Sequence, residues 1–403
     1  MNQTIKTRIE QIGRGEVPEG YKKTKVGLIP KAWIVGTMKD ILFHKVRAVP
    51  KPTTPYWRMG VRSWAKGTFR VLVENPEEVN MEELYLVEEN DLVLNITFAW
   101  EHAIALATKE DAGLLVSHRF PTYVFEKGNI PQFYKNVVSL ERFRRLLDLI
   151  SPGGAGRNRV LDKKEFLKLP CCIPPIEEQE KIAEILGTQD KLIALKEKRI
   201  AQKKQQKKYL MQQLLTGKKR LPGFTGEWKN YEFDDLFTVI STKKNQINKS
   251  EYLNKGQYPV IDQGKVKIVG YSNDEQKLYR VPWGGVIVFG DHTREVKYID
   301  FDFIIGADGT QTLTAQKEGI TFTKFMYYLL ANKRINSDGY SRHFKYVKEF
   351  VYKLPIVKEQ QAIADILSQA DKEIELLQKD LEEEKNKKKA LMQLLLTGIV
   401  RCV

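Results

Sequence analysis

The chain has 403 residues, 42% of them hydrophobic, with 66 Lys and Arg against 51 Asp and Glu and a formal net charge of +15. That length predicts roughly two to three domains with real cores, and that charge predicts a polyanionic partner, nucleic acid first. Its three cysteines, Cys171, Cys172 and Cys402, form no CxxC pair, which excludes a zinc ribbon and a disulfide framework and suits a reducing cytoplasm. The first thirty residues hold no signal-peptide apolar run, and no stretch approaches the ~20 apolar residues of a membrane span.

Residues 1–172 read as one globular domain. DLVLNI (91–96) and LLVSHRFPTYVF (114–125) are β-type runs, and YKNVVSLERFRRLLDLI (134–150) is helical. Residues that follow strands can present bidentate side chains to base edges, which singles out Asn95, Thr97, His118 and Arg119. SPGGAGRNR (151–159) offers backbone N–H groups with Arg157 and Arg159 for a phosphate, or else is a glycine turn with solvated cations. Trp57, Trp64, Trp100 and, later, Trp283 read as core rather than as stacking platforms.

Residues 173–220 read as one long helix. Pro174–Pro175 precede it, Glu177, Glu178 and Glu180 fill its first turns, and Lys203, Lys204, Lys207 and Lys208 crowd its later ones, complementing the helix dipole. Gly217 is placed to end it. Its apolar seam includes Ile182, Leu186, Leu210 and Leu214, but Lys196, Lys203 and Lys207 interrupt it.

Residues 221–353 form a second globular segment, strand-rich through GGVIVFG (284–290), YIDFDFIIGA (298–307) and TQTLTA (310–315), with a late helix in FTKFMYYLLANKRI (322–335). The post-strand candidates are His292, Thr293, Arg294 and Gln311, and the tail GYSRHFK (339–345) adds Arg342, His343 and Lys345. Both segments are expected to be mixed α/β domains with a curved sheet. Trp33 and Asp40 echo Trp228 and Asp235, and the two tails echo each other, while the middles look different.

Residues 354–403 repeat the long helix. Positions 173–220 and 354–401 align without a gap at an offset of 181, and 23 of 48 residues are identical. The second seam includes Ile363, Leu367, Leu391 and Leu395, and Gly398 matches Gly217. Each copy holds about 38–40 helical residues, or about 58 Å at ~1.5 Å per residue. The second globular segment leaves one helix and enters the other, so antiparallel pairing closes the chain without a return crossing of that length. The expected fold class is therefore α+β, two mixed α/β domains separated by two long antiparallel helices with a pseudo-two-fold axis.

Catalytic signatures are missing. The only Pro-Pro, Pro174–Pro175, has neither the acid nor the aromatic of an adenine methyltransferase, GGAG (153–156) does not follow a strand of a βαβ unit, and there is no P-loop. Asp291, Glu295 and Lys297 are too tightly spaced for a metal nuclease, and the five histidines lack metal-ligand spacing. The readings left open are a non-catalytic DNA specificity chain, a fused nuclease or methyltransferase, and a coiled-coil scaffold without sequence preference.

The repeated Pro-x-x-x-Glu-Gln-x-x-Ile-Ala-x-Ile-Leu, closing on Leu-Met-Gln-x-Leu-Leu-Thr-Gly, resembles the conserved regions of type I restriction–modification specificity subunits. The resemblance implies two target recognition domains, 1–172 and 221–353, each reading one half of a bipartite asymmetric DNA site. Residues 173–220 and 354–403 would be the central and C-terminal conserved helices that fix the spacer. It further implies two adenine methyltransferase (modification) subunits using S-adenosylmethionine, and two motor subunits using ATP and Mg2+, with no cofactor in this chain. Ile182, Leu186, Leu210, Leu214, Ile363, Leu367, Leu391 and Leu395 are the candidates for helix pairing or subunit docking.

Overall fold

A computed structural model describes residues 3–154, 159–335 and 342–402. The chain divides into two compact units, residues 1–195 with 381–403, and residues 196–380.

The first unit is built on a four-stranded antiparallel sheet in the order Ile104–Leu106, Leu92–Leu94, Thr122–Phe125, Leu42–Lys45. Strand Leu92–Leu94 is buried throughout because both faces of the sheet are covered. Leu92 and Leu94 face a core containing Trp33, Phe133, Tyr134 and Phe166, while Val93 faces a second cluster with Met59 and Val116. That second cluster lies against a five-stranded sheet, Ala48–Pro50, Glu83–Leu86, Leu115–Val116, Tyr56–Val61, Thr68–Val73, in which Leu115 pairs with Arg58 in parallel and the other pairings are antiparallel. A two-stranded ribbon, Ile34–Thr37 with Pro170–Ile173, closes the domain's entry on its exit.

The second unit repeats this plan. Its four-stranded sheet runs Val296–Ile299, Val286–Gly290, Thr310–Thr314, Thr238–Ile240, the same order by chain position. Ile287 and Phe289 face one core, Val286 and Val288 the other. Tyr258–Ile261 pairs in parallel with Ile304–Ile305, as Tyr56–Val61 does with Leu115–Val116, and the ribbon Lys229–Tyr231 with Tyr352–Leu354 closes the unit. The middles that look unlike in sequence therefore share a topology. The difference sits in the second sheet, which has three strands here and five in the first unit.

Some elements are finer than the sequence reading. The 114–125 run breaks into Leu115–Val116 and Thr122–Phe125, which join different sheets. Likewise 298–307 splits, because the chain turns at Asp300–Asp302 and carries Ile304–Ile305 to the other sheet. The 134–150 helix is two helices, Pro131–Val138 and Glu141–Leu149: Ser139 Oγ donates to the Asn136 carbonyl, and Leu140 is extended at φ −71°, ψ 143°.

Both long helices, Ile176–Leu214 and Val357–Leu395, contain 39 residues. Gly217 (φ +70°) and Gly398 (φ +69°) lie just past their ends in the left-handed region, where Gly398 also has no room for a Cβ, since Pro30 would stand 2.5 Å from it. The proposed seam residues do not form a zipper. Ile182, Leu186 and Leu395 are buried in the first unit's core with Leu391 packed against it, and Leu214, Ile363 and Leu367 are buried in the second unit's core with Leu210 packed against it. Within the second unit, Lys196 pairs with Asp380, Lys203 with Glu373 (2.8 Å) and Lys207 with Asp371. The lysines that break the apolar seam thus face acids on an antiparallel partner. In the first unit Lys388 meets Asp190 at 2.6 Å in the same sense.

The acids at the helix starts do more than complement a dipole. Glu178, fully buried, accepts a bidentate pair from Arg401 (2.6 and 2.9 Å) and a bond from Trp33 Nε1 (2.7 Å). Glu359, 181 residues on, accepts a bidentate pair from Arg220 at 2.7 Å. The following glutamines repeat as well. Gln179 Oε1 accepts from Ile130 N and Nε2 donates to the Pro174 carbonyl; Gln360 does the same with Phe322 N and the Pro355 carbonyl. Each glutamine ties the start of a long helix to the segment leading into a domain helix.

Candidate nucleic-acid interface

In each unit, loops from both sheets meet at one end. In the first, three loops leave Tyr56–Val61, Leu92–Leu94 and Leu115–Val116, and Arg159–Leu161 lies beside them. Trp64 N donates to the Glu101 carbonyl (2.8 Å), Ala65 N to that of His102 (2.9 Å), and Ser63 Oγ to Glu101 Oε2 (2.7 Å). Ile96 N donates to the Arg119 carbonyl (3.0 Å) and Leu161 N to that of Ile96 (2.9 Å). These bonds knit residues 62–65, 95–102, 117–121 and 159–161 into one cluster.

The second unit builds its cluster from the equivalent loops. Gln263, after Tyr258–Ile261, is the hub: Oε1 accepts from His292 N (3.1 Å), Nε2 donates to the Asp308 carbonyl (2.8 Å), and its own carbonyl accepts from Thr293 Oγ1. Asp291 N donates to the Gly309 carbonyl (2.7 Å), while the Asp291 carbonyl and carboxylate accept from His343 N (2.9 Å) and Phe344 N (2.8 Å). Lys297, buried, donates to the carbonyls of Asp262 and Val266 (both 2.7 Å) and fixes the shape of that loop. Burial pushes the Lys297 ammonium below the usual lysine range, and Asp262 opposes this.

Backbone strain gathers at the same places. Of the five non-glycine residues with positive φ among the described residues, Trp64, Ala65, His102 and Arg294 lie in these loops. Such conformations persist where the surrounding structure over-determines them, as at binding sites.

The candidate side chains divide by accessibility. His118 and Arg119 are exposed, and His118 lines a recess of about 100 Å³ with His44, Lys45 and Lys163. Burial, with Lys163 next in effect, holds the His44 imidazole below the usual histidine range. Thr293, Arg294, Arg342 and Lys345 are exposed, and His292 and Asn95 are half-buried. Gln311, expected in a loop after a strand, instead sits half-buried inside strand Thr310–Thr314, opposite Phe289. Arg294 reaches the Ile335 carbonyl at 3.0 Å, and Lys345 lies over the Tyr346 ring. Asn95 Oδ1 accepts from Thr97 N (3.1 Å), and Thr97 itself is buried, so this pair shapes its loop. His343 is buried with Nδ1 3.0 Å from the Asp291 carbonyl, which makes it a loop anchor and removes it from the surface. Arg159 is spent internally, donating to Asp148 Oδ1 and to the Asp148 and Ser151 carbonyls above the Trp100 ring. Arg157, most of the first glycine-rich tail's tip, and residues 339–341 of the second lie outside the described residues.

Three tryptophans placed in the core by the sequence reading are at the surface: Trp57 is 50% exposed, Trp64 58% and Trp283 95%. Apart from Trp64, sequence reasoning also passed over the loop after each hairpin's first strand, which supplies Arg62 and Lys66 in one unit and Gln263 and Lys265 in the other. VIDQGK, a strand run closing on a polar-glycine turn, carried the signal for the second.

The family model described as the type I restriction modification DNA specificity domain matches residues 31–205 and again 225–385. The chain belongs to this family. A Methanocaldococcus jannaschii protein named as the type I restriction enzyme MjaX specificity subunit is 26% identical over 429 aligned positions, spanning 95% of this chain and 97% of that protein. The EcoR124I/EcoR124II specificity subunit of Escherichia coli is 29% identical over 112 residues, 28% of this chain and 27% of its own. Among solved structures, the type I restriction–modification S subunit from M. genitalium superposes with a TM-score of 0.60 at 14% identity, covering 90% of this chain and 96% of that one. A chain solved in work on complex assembly and conformational transition of the type I R-M system gives 0.56 at 15%, covering 92% and 99%. The two family matches fall one on each globular region, and each takes in much of the long helix that follows. No helix among the described residues is long and apolar enough to cross a membrane.

Proposed function

We propose that this specificity chain reads a bipartite DNA site, one half through each loop cluster, and that the long helices set the spacer between the halves. The observation that carries this reading is the repetition of one four-loop arrangement on one frame with different side chains: His118, Arg119 and Trp64 on one, Gln263, Thr293 and Arg294 on the other. A common frame with divergent tips suits two readers of unlike base sequences. The chain then acts as a non-catalytic guide, and the helices also hold adenine methyltransferase subunits. S-adenosylmethionine, and ATP with Mg2+ in a restriction complex, would be bound by those partners.

Selection of duplexes from a randomised pool by the chain with its modification subunit tests the reading. The expected product is an asymmetric pair of half-sites at fixed spacing. Binding that falls with salt but shows no sequence preference would favour the scaffold instead. Adding seven residues to the middle of both helices lengthens each by about 10 Å, or about three base pairs. The selected spacer should grow while both half-sites stay unchanged; altered half-sites would overturn the ruler.

A further inference from the structure

The first unit carries an addition that its twin lacks. Ahead of Trp33 the chain forms a hairpin, Tyr21–Thr24 against Gly27–Pro30. In the second unit residues 218–228, which lead to the matching Trp228, form no strand. The hairpin's tip is held in shape. Thr24 Oγ1 donates to the Gly27 carbonyl (2.7 Å), Val26 N donates to Thr24 Oγ1 (3.3 Å), and Gly27 has a φ of +108°, in the region that favours glycine. Lys25 and Val26 at this tip wall one side of a cavity of about 230 Å³.

The remaining walls are elements of the repeated frame. Phe133 and Val137 stand four apart on helix Pro131–Val138, Phe143 and Leu146 lie on Glu141–Leu149, and Leu396 lies just past the second long helix. The closing ribbon supplies Cys171 and Cys172. All of these belong to the first unit. The second unit treats the same places differently. Counted from the glutamine clamps at Ile130 and Phe322, Val137 corresponds to the larger Leu329. Cys172 is half-buried, whereas Lys353, 181 residues on, is exposed. Cys171 stands where the second unit has the fully buried Tyr352, although the larger Phe166 replaces Val347 nearby. The added hairpin and the smaller wall residues together make a recess that the fold itself does not require.

The lining selects the occupant. Apart from the thiols, the side chains facing the cavity are apolar or cationic, and no acid lines it. Burial pushes the Cys171 thiol up to about 12 and raises that of Cys172 as well, with Arg142 opposing the second shift. Neutral thiols are neither metal ligands nor nucleophiles, so they act here as small apolar surface. The two cations, Lys25 and Arg142, are exposed and therefore stand at the mouth. Arg142 donates to the Leu396 carbonyl at 3.3 Å through one nitrogen, which leaves the rest of its fork for a carboxylate. An apolar cavity of about 150 Å³ suffices for benzene, so this one has room for a substituted ring between Phe133 and Phe143. We propose that the cavity is a binding site for a small aromatic carboxylate, with its ring inside and its carboxylate at Arg142 and Lys25. The second unit has no matching site, so this asymmetry is independent of how the two loop clusters read DNA.

The test titrates the full chain with 4-fluorophenylacetate and with neutral 4-fluorotoluene, followed by fluorine NMR. The carboxylate should bind saturably, one molecule per chain. Lys25→Gln with Arg142→Gln should weaken it at least about tenfold and leave 4-fluorotoluene unchanged. Val137→Leu with Leu146→Phe fills the recess and should abolish binding of both probes, while circular dichroism shows a melting temperature no lower than that of the unaltered chain. Hydrogen exchange with the carboxylate bound should slow in 131–149 and 170–173 and stay unchanged in 322–335. Absence of saturable binding to the unaltered chain would overturn the site. So would binding that survives in the folded, filled variant, or slowed exchange in the second unit instead. Equal binding of both probes, indifferent to the loss of the two cations, would overturn the assignment to a carboxylate.

Discussion

The two units show what a duplicated frame keeps and what it releases. Both keep the four-stranded sheet order, the closing ribbon, the buried glutamate with its arginine, and the glutamine clamp. Even the small cap recurs: Asp40 accepts from Thr37 N and Asp235 from Glu232 N. What differs is carried in the second sheet, five strands against three, and at the strand ends. The loop before the third strand of the main sheet has nine residues (95–103) in one unit and five (291–295) in the other. Packing fixes the frame because its residues touch both sheets and the long helices at once. The loops answer to solvent and to a ligand, so they are free to diverge.

The sharpest difference within the kept frame is how the buried acid is satisfied. Glu178 has Arg401, Trp33 Nε1 and, at 3.4 Å, Cys402 N, whereas the bonds to Glu359 come from Arg220, and Trp228 Nε1 is buried without a partner. Stranding a buried carboxylate costs about 3–5 kcal/mol. Arg220→Ala should therefore destabilise the second unit by about that much at Glu359, and Arg401→Ala should destabilise the first by clearly less. Urea unfolding followed by hydrogen exchange in each unit separates the two; equal losses would show that Trp33 contributes nothing to holding Glu178.

A second contrast lies along the long helices, between the ends and the ionic stretch. Leu186→Ala and Leu367→Ala each remove a fully buried side chain and should cost about 2–5 kcal/mol in their own units. Lys203→Ala breaks a pair whose side chains are 31% and 41% exposed and should cost less than about 1 kcal/mol. If Lys203→Ala cost as much as the leucine changes, the middle of the helices would be a true seam, and the division of work along them would be wrong.

The sequence makes the long helices plain because a 3.6-residue period and a gapless repeat survive any environment. It also shows that the lysines disrupt a zipper. It does not show that Asp371, Glu373 and Asp380 answer them, since that requires the antiparallel register of two segments more than 160 residues apart. Placing candidates after strands put His118, Arg119 and His292 in the loop clusters for a physical reason: a strand's end is where the backbone leaves the sheet. It missed Gln263 and Arg62, and read Trp64 as core, because theirs are the turns of hairpins, which read as ordinary connections until a second sheet brings them beside the other loops. Trp283 was misplaced because residue type sets the average tendency to be buried, while loop position decides the case.

Acid should separate the units by the smallest margin. His102 in the first unit is buried, its Nε2 2.7 Å from the Val138 carbonyl, in a left-handed turn that holds Trp64 and Ala65 in place. Burial holds its imidazole below the usual histidine range; the bond to Val138 and the charge of Glu141 act the other way, and Arg144 reinforces the lowering. His44, on a strand of the same unit's main sheet, is lowered as well. The unfolded chain takes up these protons at about pH 6.5, before the folded chain does. Their contribution to stability is therefore complete above that pH and is lost as the pH falls toward the lower folded values. Hydrogen exchange at pH 7.5 and 5.5, corrected for intrinsic rates, should show protection around 95–121 falling relative to 286–311. His102→Gln with His44→Gln, which cannot titrate, should remove most of that difference. Its persistence in the double variant would place the acid sensitivity elsewhere and leave the two units alike in this respect.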